Sequence, residues 1–325
     1  MWIVTVVCIL CVSLYSATLE EKIGRMLIVH FEGEVINEDA RRLMDEAHVG
    51  GFCYYDLCNG ASVKGLAQLS KDLQAYSRHP LLLCIDQEGG RVQRLNIGMP
   101  SAREMDPALW GKKAGEILKQ CGINLNLAPV LDLQMGERSF SADPLDTVMR
   151  ARTFIQHMDV MACVKHFPGH GAFTIDPHYG LPTVDFDIKN LAPFMALHAP
   201  FIMSAHVLIP QIDPTYCATL SKVWLTDILR HKLGYQGIVL SDSLTMEGVI
   251  ENGGSMQRAA LLAINAGCDM LILGRKHLSG DPSKNEVITQ EMIDLHQFIF
   301  SCVINGFIDE SKINNSFNKI TSCIN

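Results

Sequence analysis

Eight short apolar runs with helix-like stretches between them do most to constrain what this sequence can fold into. They are Met26–Phe31, Val49–Tyr55, Leu81–Ile85, Ile123–Val130, Val160–Val164, Phe201–Ala205, Gly237–Leu240 and Met270–Leu273. Several are continuously apolar instead of alternating, as strands covered on both faces must be. Amphipathic stretches separate them, among them Glu38–Ala47, Val63–Ser77, Trp110–Gln120, Leu220–Lys232 and Ser255–Ala266. Strand then helix, eight times over, predicts an α/β fold of the (β/α)8 TIM type in a single domain. Glu286–Asn305 and Ser311–Cys323 read as terminal helices outside the barrel. A chain of 325 residues, 48% of them apolar, has the length and composition for one such unit.

The N-terminus is read separately. Trp2 to Tyr15 is almost wholly apolar, followed by Ser16-Ala17-Thr18 and the charged Glu20-Glu21-Lys22. That run is too short to span a bilayer and has the length of an export-signal core. The expected division is a signal-like segment at 1–17 and a barrel domain at 18–325, with a periplasmic or envelope location favoured over the cytoplasm. The net charge of −8, without any basic block, gives nucleic acid no electrostatic purchase. The eleven cysteines are scattered, and Cys53, Cys84, Cys163 and Cys268 lie in or beside apolar runs. They read as free buried thiols. Cys8 and Cys11 form the one C-x-x-C pair, within the apolar N-terminal segment, so neither a zinc ribbon nor thioredoxin chemistry is indicated.

Ionisable residues fall at the ends of the runs. Asp86 and Glu88 follow the third, Asp132 the fourth, Lys165 and His166 the fifth, His206 the sixth and Asp242 the seventh. A barrel brings the C-terminal ends of its strands to one face, so these residues predict an active site there. The fifth run empties into V-K-H-F-P-G-H-G-A-F-T-I-D-P-H-Y-G-L-P (Val164 to Pro182), a long loop carrying His170, Asp176 and His178. A carboxylate two residues from an imidazole can orient the ring and raise its pKa, which makes His178 a usable general acid and base. Asp242 is open to three readings: a nucleophile, a metal ligand or the cap of a following helix. A metal centre would draw on His166, His170, His178 and His206 with Asp86 or Asp242. The H-x-x-x-H spacing would need a helix that Phe167-Pro168-Gly169 opposes.

Taken together, the motifs resemble the bacterial β-N-acetylglucosaminidases of glycoside hydrolase family 3. The resemblance rests on D-Q-E-G-G-R-V-Q-R, L-A-P-V-L-D, G-E-R-S-F-S-A-D-P, K-H-F-P-G-H-G with D-P-H, S-A-H-V and S-D-S-L-T-M-E-G, in that order from about Leu19 to Gly274. It implies a retaining, exo-acting enzyme that removes terminal N-acetylglucosamine from peptidoglycan fragments such as N-acetylglucosaminyl-1,6-anhydro-muropeptides. Asp242 would be the nucleophile and His178, paired with Asp176, the acid/base. Asp86, Arg94, Arg138, Lys165 and His166 would bind the sugar. No metal or other cofactor is implied, the partner is a small carbohydrate or muropeptide, and a monomer is expected. A phosphorylase and a carbohydrate-binding barrel without turnover are the alternatives. The sequence departs from the family pattern at Tyr54-Tyr55-Asp56-Leu57-Cys58-Asn59, where an Arg before the Asn is usual, and at Asp242-Ser243, where Asp-Asp is common. The segments Arg94–Ile123 and Asp185–Phe201 are also short, which implies shortened barrel helices.

Overall fold

The computed structural model describes residues 17–171, 176–274 and 288–324. The signal-like apolar segment, with Cys8 and Cys11, lies outside the described residues. Ten strands are described: β1 (Leu27–Val29), β2 (Gly51–Tyr54), β3 (Leu82–Ile85), β4 (Gln87–Gly89), β5 (Val92–Gln93), β6 (Leu125–Asn126), β7 (Met161–Phe167), β8 (Phe201–Ser204), β9 (Ile238–Ser243) and β10 (Met270–Ile272). Eight of them close a parallel barrel in the order β1-β10-β9-β8-β7-β6-β3-β2. Each corresponds to one of the eight apolar runs, because those residues are shut from water on both the lumen and the helix side. The remaining pair, β4 and β5, forms an antiparallel hairpin directly beyond β3.

The helices start where the sequence supplies a cap. Asn37, Ser62, Asp106, Asp143, Asp187 and Ser255 each accept a hydrogen bond from a backbone N–H in the first turn of the helix that follows. Two of these starts add a proline at the first helical position, at Asp106-Pro107 and Asp143-Pro144. The helix expected at Trp110–Gln120 therefore begins at Pro107. The helix Pro144–Met158 was not foreseen; it buries Thr147, Val148, Ala151, Phe154 and Met158 along one stripe. Its neighbour Pro107–Gln120 lies against it at glycine distance. A Cβ on Gly115 would sit 1.5 Å from the Met158 carbonyl oxygen, and one on Gly111 would sit 2.4 Å from that of Phe154. The short segment before β8 folds as Ile188–Ala196, with Pro193 inside it. Of the nine described cysteines, all but Cys323 are buried. No helix among the described residues is long and apolar enough to cross a membrane.

Candidate active site

A cavity of about 440 Å³ opens at the C-terminal ends of the strands. Asp86, Arg94, Arg138, Lys165, His166, Asp176, His178 and Asp242 all line it. Its wall is an ionic lattice. The Lys165 ammonium lies 2.6 Å from Asp86 Oδ1 and 2.6 Å from Glu88 Oε1. Arg138 grips the same Glu88 with two parallel bonds, Nε to Oε2 at 2.8 Å and Nη2 to Oε1 at 2.9 Å. Arg94 approaches Asp86 at 3.5 Å and lies over the Tyr55 ring, 5.5 Å from its centroid. Burial opposes the charge on Glu88, but the adjacent Arg138 and Lys165 outweigh it and hold its carboxyl well below the usual range. Burial likewise opposes the charge on Lys165, and Asp86 and Glu88 more than restore it.

Glu88 follows the third apolar run in the sequence without a role of its own there. In the structure it is the buried anion that fixes two of the five sugar-binding candidates. The β4–β5 hairpin that carries it is pinned by Gln87, whose side chain donates to the Leu95 carbonyl and accepts from the Leu95 N–H. Gly89 has φ +97°, and a Cβ there would meet the Pro100 carbonyl oxygen at 2.2 Å. The Gly-Gly of D-Q-E-G-G-R is thus a requirement of the turn.

Lys165 and His166 were expected beyond the fifth strand, but both lie inside β7, which runs on to Phe167. Consecutive strand residues normally face opposite sides. Here the register against β8 shifts between Lys165, opposite Met203, and Phe167, opposite Ser204. The extra residue, His166, is thereby turned toward the cavity that Lys165 already lines. Asp132 holds it there. Its carboxylate accepts from His166 Nδ1 at 2.7 Å, from the His166 N–H at 3.2 Å and from the His170 N–H at 2.7 Å. A carboxylate can only accept, so Nδ1 carries the proton and Nε2 is left for a ligand. The His170 ring packs edge-on to His166, and burial pushes its pKa down to about 4.

Asp242 is the penultimate residue of β9 and is half-buried at the cavity. It caps no helix, since the next one begins after Met246, and its Oδ1 accepts instead from the Ser243 N–H at 2.7 Å. Burial alone would raise its pKa, but His206, His166, that hydrogen bond and His178 bring it down to about 2. His206 is fully buried and donates from Nε2 to the Ser243 carbonyl at 2.9 Å, which steadies the backbone next to the carboxylate. At the departure from Asp-Asp, the Ser243 hydroxyl pairs with Thr245 and accepts from the Gly274 N–H. At the other departure, Cys58 is buried where an Arg is usual, and Asn59 ties Tyr55 to Phe31 and Gly33.

Asp176 and His178 sit at the rim. Asp176 Oδ1 accepts both His178 Nδ1–H, at 2.7 Å, and the His178 N–H, at 3.0 Å. Their side chains are 53% and 31% exposed, against 3% for Glu88 and Lys165, so the pair is open to solvent on one side. Burial lowers the His178 pKa, but the bond and charge of Asp176, with Asp242 beyond, raise it overall. With Nδ1–H committed to Asp176, Nε2 is the ring nitrogen of this cavity-lining histidine left for another partner. As for the metal arrangement, no group of three His, Cys, Asp or Glu side chains among the described residues is placed to hold an ion.

Residues 18–323 match the description Glycosyl hydrolase family 3 N terminal domain. A protein named Beta-hexosaminidase from Bordetella avium (strain 197N) is 33% identical over 306 residues, covering 82% of this chain and 86% of its own length. Among solved structures, a glycoside hydrolase family 3 beta-N-acetylglucosaminidase from Paenibacillus sp. str. FPU-7 superposes with a TM-score of 0.85 at 31% identity. That alignment covers 94% of this chain and 62% of the longer Paenibacillus protein. The Beta-N-acetylhexosaminidase from Beutenbergia cavernae DSM 12333 superposes with a TM-score of 0.81 at 26% identity, over 95% of this chain and 98% of that one.

Proposed function

The chain belongs to glycosyl hydrolase family 3, and from that premise we propose that it is a retaining, exo-acting β-N-acetylglucosaminidase. Its substrate is a peptidoglycan fragment ending in N-acetylglucosamine, such as an N-acetylglucosaminyl-1,6-anhydro-muropeptide. The observation that carries this reading is the pairing of an ionised carboxylate, Asp242, with a carboxylate-oriented imidazole, His178, at one cavity.

In the first step an Asp242 oxygen attacks the anomeric carbon. The bond from that carbon to the leaving oxygen breaks, and the oxygen takes the proton from His178 Nε2. A covalent glycosyl-enzyme and a neutral imidazole result. In the second step water attacks the same carbon from the vacated face, its proton passes to His178 Nε2, and the bond to Asp242 breaks. Two displacements at one carbon retain configuration. The low pKa of Asp242 keeps it a nucleophile near neutrality, and the raised pKa of His178 keeps a proton available. Asp86 accepts from sugar hydroxyls. Lys165 has one donor beyond its two carboxylate contacts and Arg138 keeps its second Nη, so each can still reach a hydroxyl or the acetamido oxygen. Arg94 braces Asp86 and His166 offers Nε2.

The deciding experiment is hydrolysis of an aryl N-acetyl-β-glucosaminide by the wild-type chain and by Asp242→Ala, with the product anomer read by NMR. Initial release of β-N-acetylglucosamine by wild type alone is expected. An α product overturns the double displacement, and folded wild type that binds the sugar without turnover overturns the enzyme reading for this substrate.

A further inference from the structure

A second cavity, of about 370 Å³, lies at the opposite end of the barrel. Arg25 precedes β1, His48 precedes β2 and His79 precedes β3, so these lining residues mark the N-terminal face, away from the site above. Arg25 is the anomaly. It is only 8% exposed, and among the described residues its guanidinium has neither a hydrogen bond nor an ion pair. Its Nε is shut from solvent without a partner. Burial weakens its hold on the proton, and Glu21 only partly compensates. A buried guanidinium without a partner among the described residues is costly to keep, and the cavity it lines is where a counter-charge can enter.

The other walls say what kind of ligand fits. Arg78 supplies a second, exposed guanidinium. Two carboxylates oppose them: Asp45, which accepts from the Tyr76 hydroxyl at 2.7 Å, and Glu21, which accepts from the Thr18 N–H at 2.8 Å. His79 adds no charge near neutrality, because it donates from Nε2 to the Val49 carbonyl and burial pushes its pKa down to about 4. The His48 ring is turned edge-on to His296. Met44, Tyr76 and Phe317 provide apolar surface. A dianion such as phosphate would satisfy the arginines but face both carboxylates. A molecule with one carboxylate and one ammonium satisfies both pairs.

We infer that this cavity binds a small zwitterion with an apolar side chain, a free α-amino acid or a dipeptide. Its carboxylate sits on the planar forks of Arg25 and Arg78, its ammonium on Asp45 or Glu21, and its side chain against Met44 and Tyr76.

The test titrates the full 15N-labelled chain with L-leucine, N-acetyl-L-leucine and L-leucinamide, following backbone amide shifts. Leucine is expected to give saturable shifts at Arg25, Arg78 and His79. Each derivative lacks one charge and should bind at least about tenfold more weakly. Arg25→Gln should bring leucine down to the leucinamide level. Arg78→Gln, at an exposed position that leaves the core intact, should weaken leucine without altering the melting temperature. Equal binding of the three probes, leucine shifts confined to the catalytic cavity, or no saturation at millimolar concentration would each overturn the proposal.

Discussion

The wall and the rim of the catalytic cavity hold their charges in opposite ways. On the wall, Glu88, Lys165, Arg138 and Asp86 are locked together by short contacts between mostly buried groups, and their positions are set before any ligand arrives. At the rim, Asp176 and His178 make one internal pair, and their loop is tied down by Gly248 N–H to Pro177 O and by Leu181 N–H to Glu251. The difference teaches a division of labour. In the proposed function, the groups that would recognise a constant part, the sugar, are preorganised, while the group that would meet two successive partners, the leaving oxygen and then water, sits where both could reach it. Substitutions on the wall should therefore disturb folding and binding together, and those at the rim should disturb chemistry alone.

The largest effect should come from the floor that wall and rim share. Asp242→Ala should lower kcat/KM by roughly 10³–10⁵-fold with an unchanged fold, by analogy with losses of other covalent nucleophiles. Stopped-flow turnover with far-UV circular dichroism checks both. Next, His178→Ala should cost about 10²–10⁴-fold with a poor leaving group and far less with a dinitrophenyl one, which needs no proton. A loss independent of the leaving group would break the assignment of His178 as the acid. Third, Glu88→Gln should raise KM and destabilise the chain by about 3–5 kcal/mol in urea melts, since it leaves Lys165 and Arg138 with an uncompensated buried charge. An unchanged melt would erase the contrast with the rim.

The smallest effect sharpens the comparison. Asp176 helps hold the His178 pKa above its ordinary value, and in the proposed role of general acid His178 would work only when protonated. Asp176→Asn should therefore lower that pKa and move the alkaline limb of the kcat/KM profile to lower pH, with a loss of about tenfold in rate at neutrality. The melting temperature should hardly move, because the substituted Asp176 side chain is 53% exposed. A shift to higher pH would contradict the geometry.

How far the molecule can be read from its residues follows the same physics. The barrel strands are visible because burial on both faces leaves continuous apolar runs, and their ends are visible because ionisable residues interrupt those runs. Contacts between elements leave no such trace. Nothing periodic announces that Glu88 will meet Arg138, fifty positions away, or that Asp132 will hold both His166 and His170. The helix Pro144–Met158 was hidden because its strongest local signal, Asp143-Pro144, reads equally as part of a loop motif. Arg25 looks like any arginine between a helix and a strand until the fold closes around it.

The register shift in β7 has a consequence for how this site can change by mutation. A regular strand would send Lys165 and His166 to opposite sides, so two adjacent codons specify two cavity-lining side chains only because one residue is out of step. Deleting a single codon between Ala162 and Phe167 should restore the regular alternation and withdraw one of the pair from the cavity, while a point substitution leaves the arrangement standing. A change in reading length here thus moves side chains between the two sides of the strand, whereas a substitution alters one side chain and leaves its neighbours facing as before.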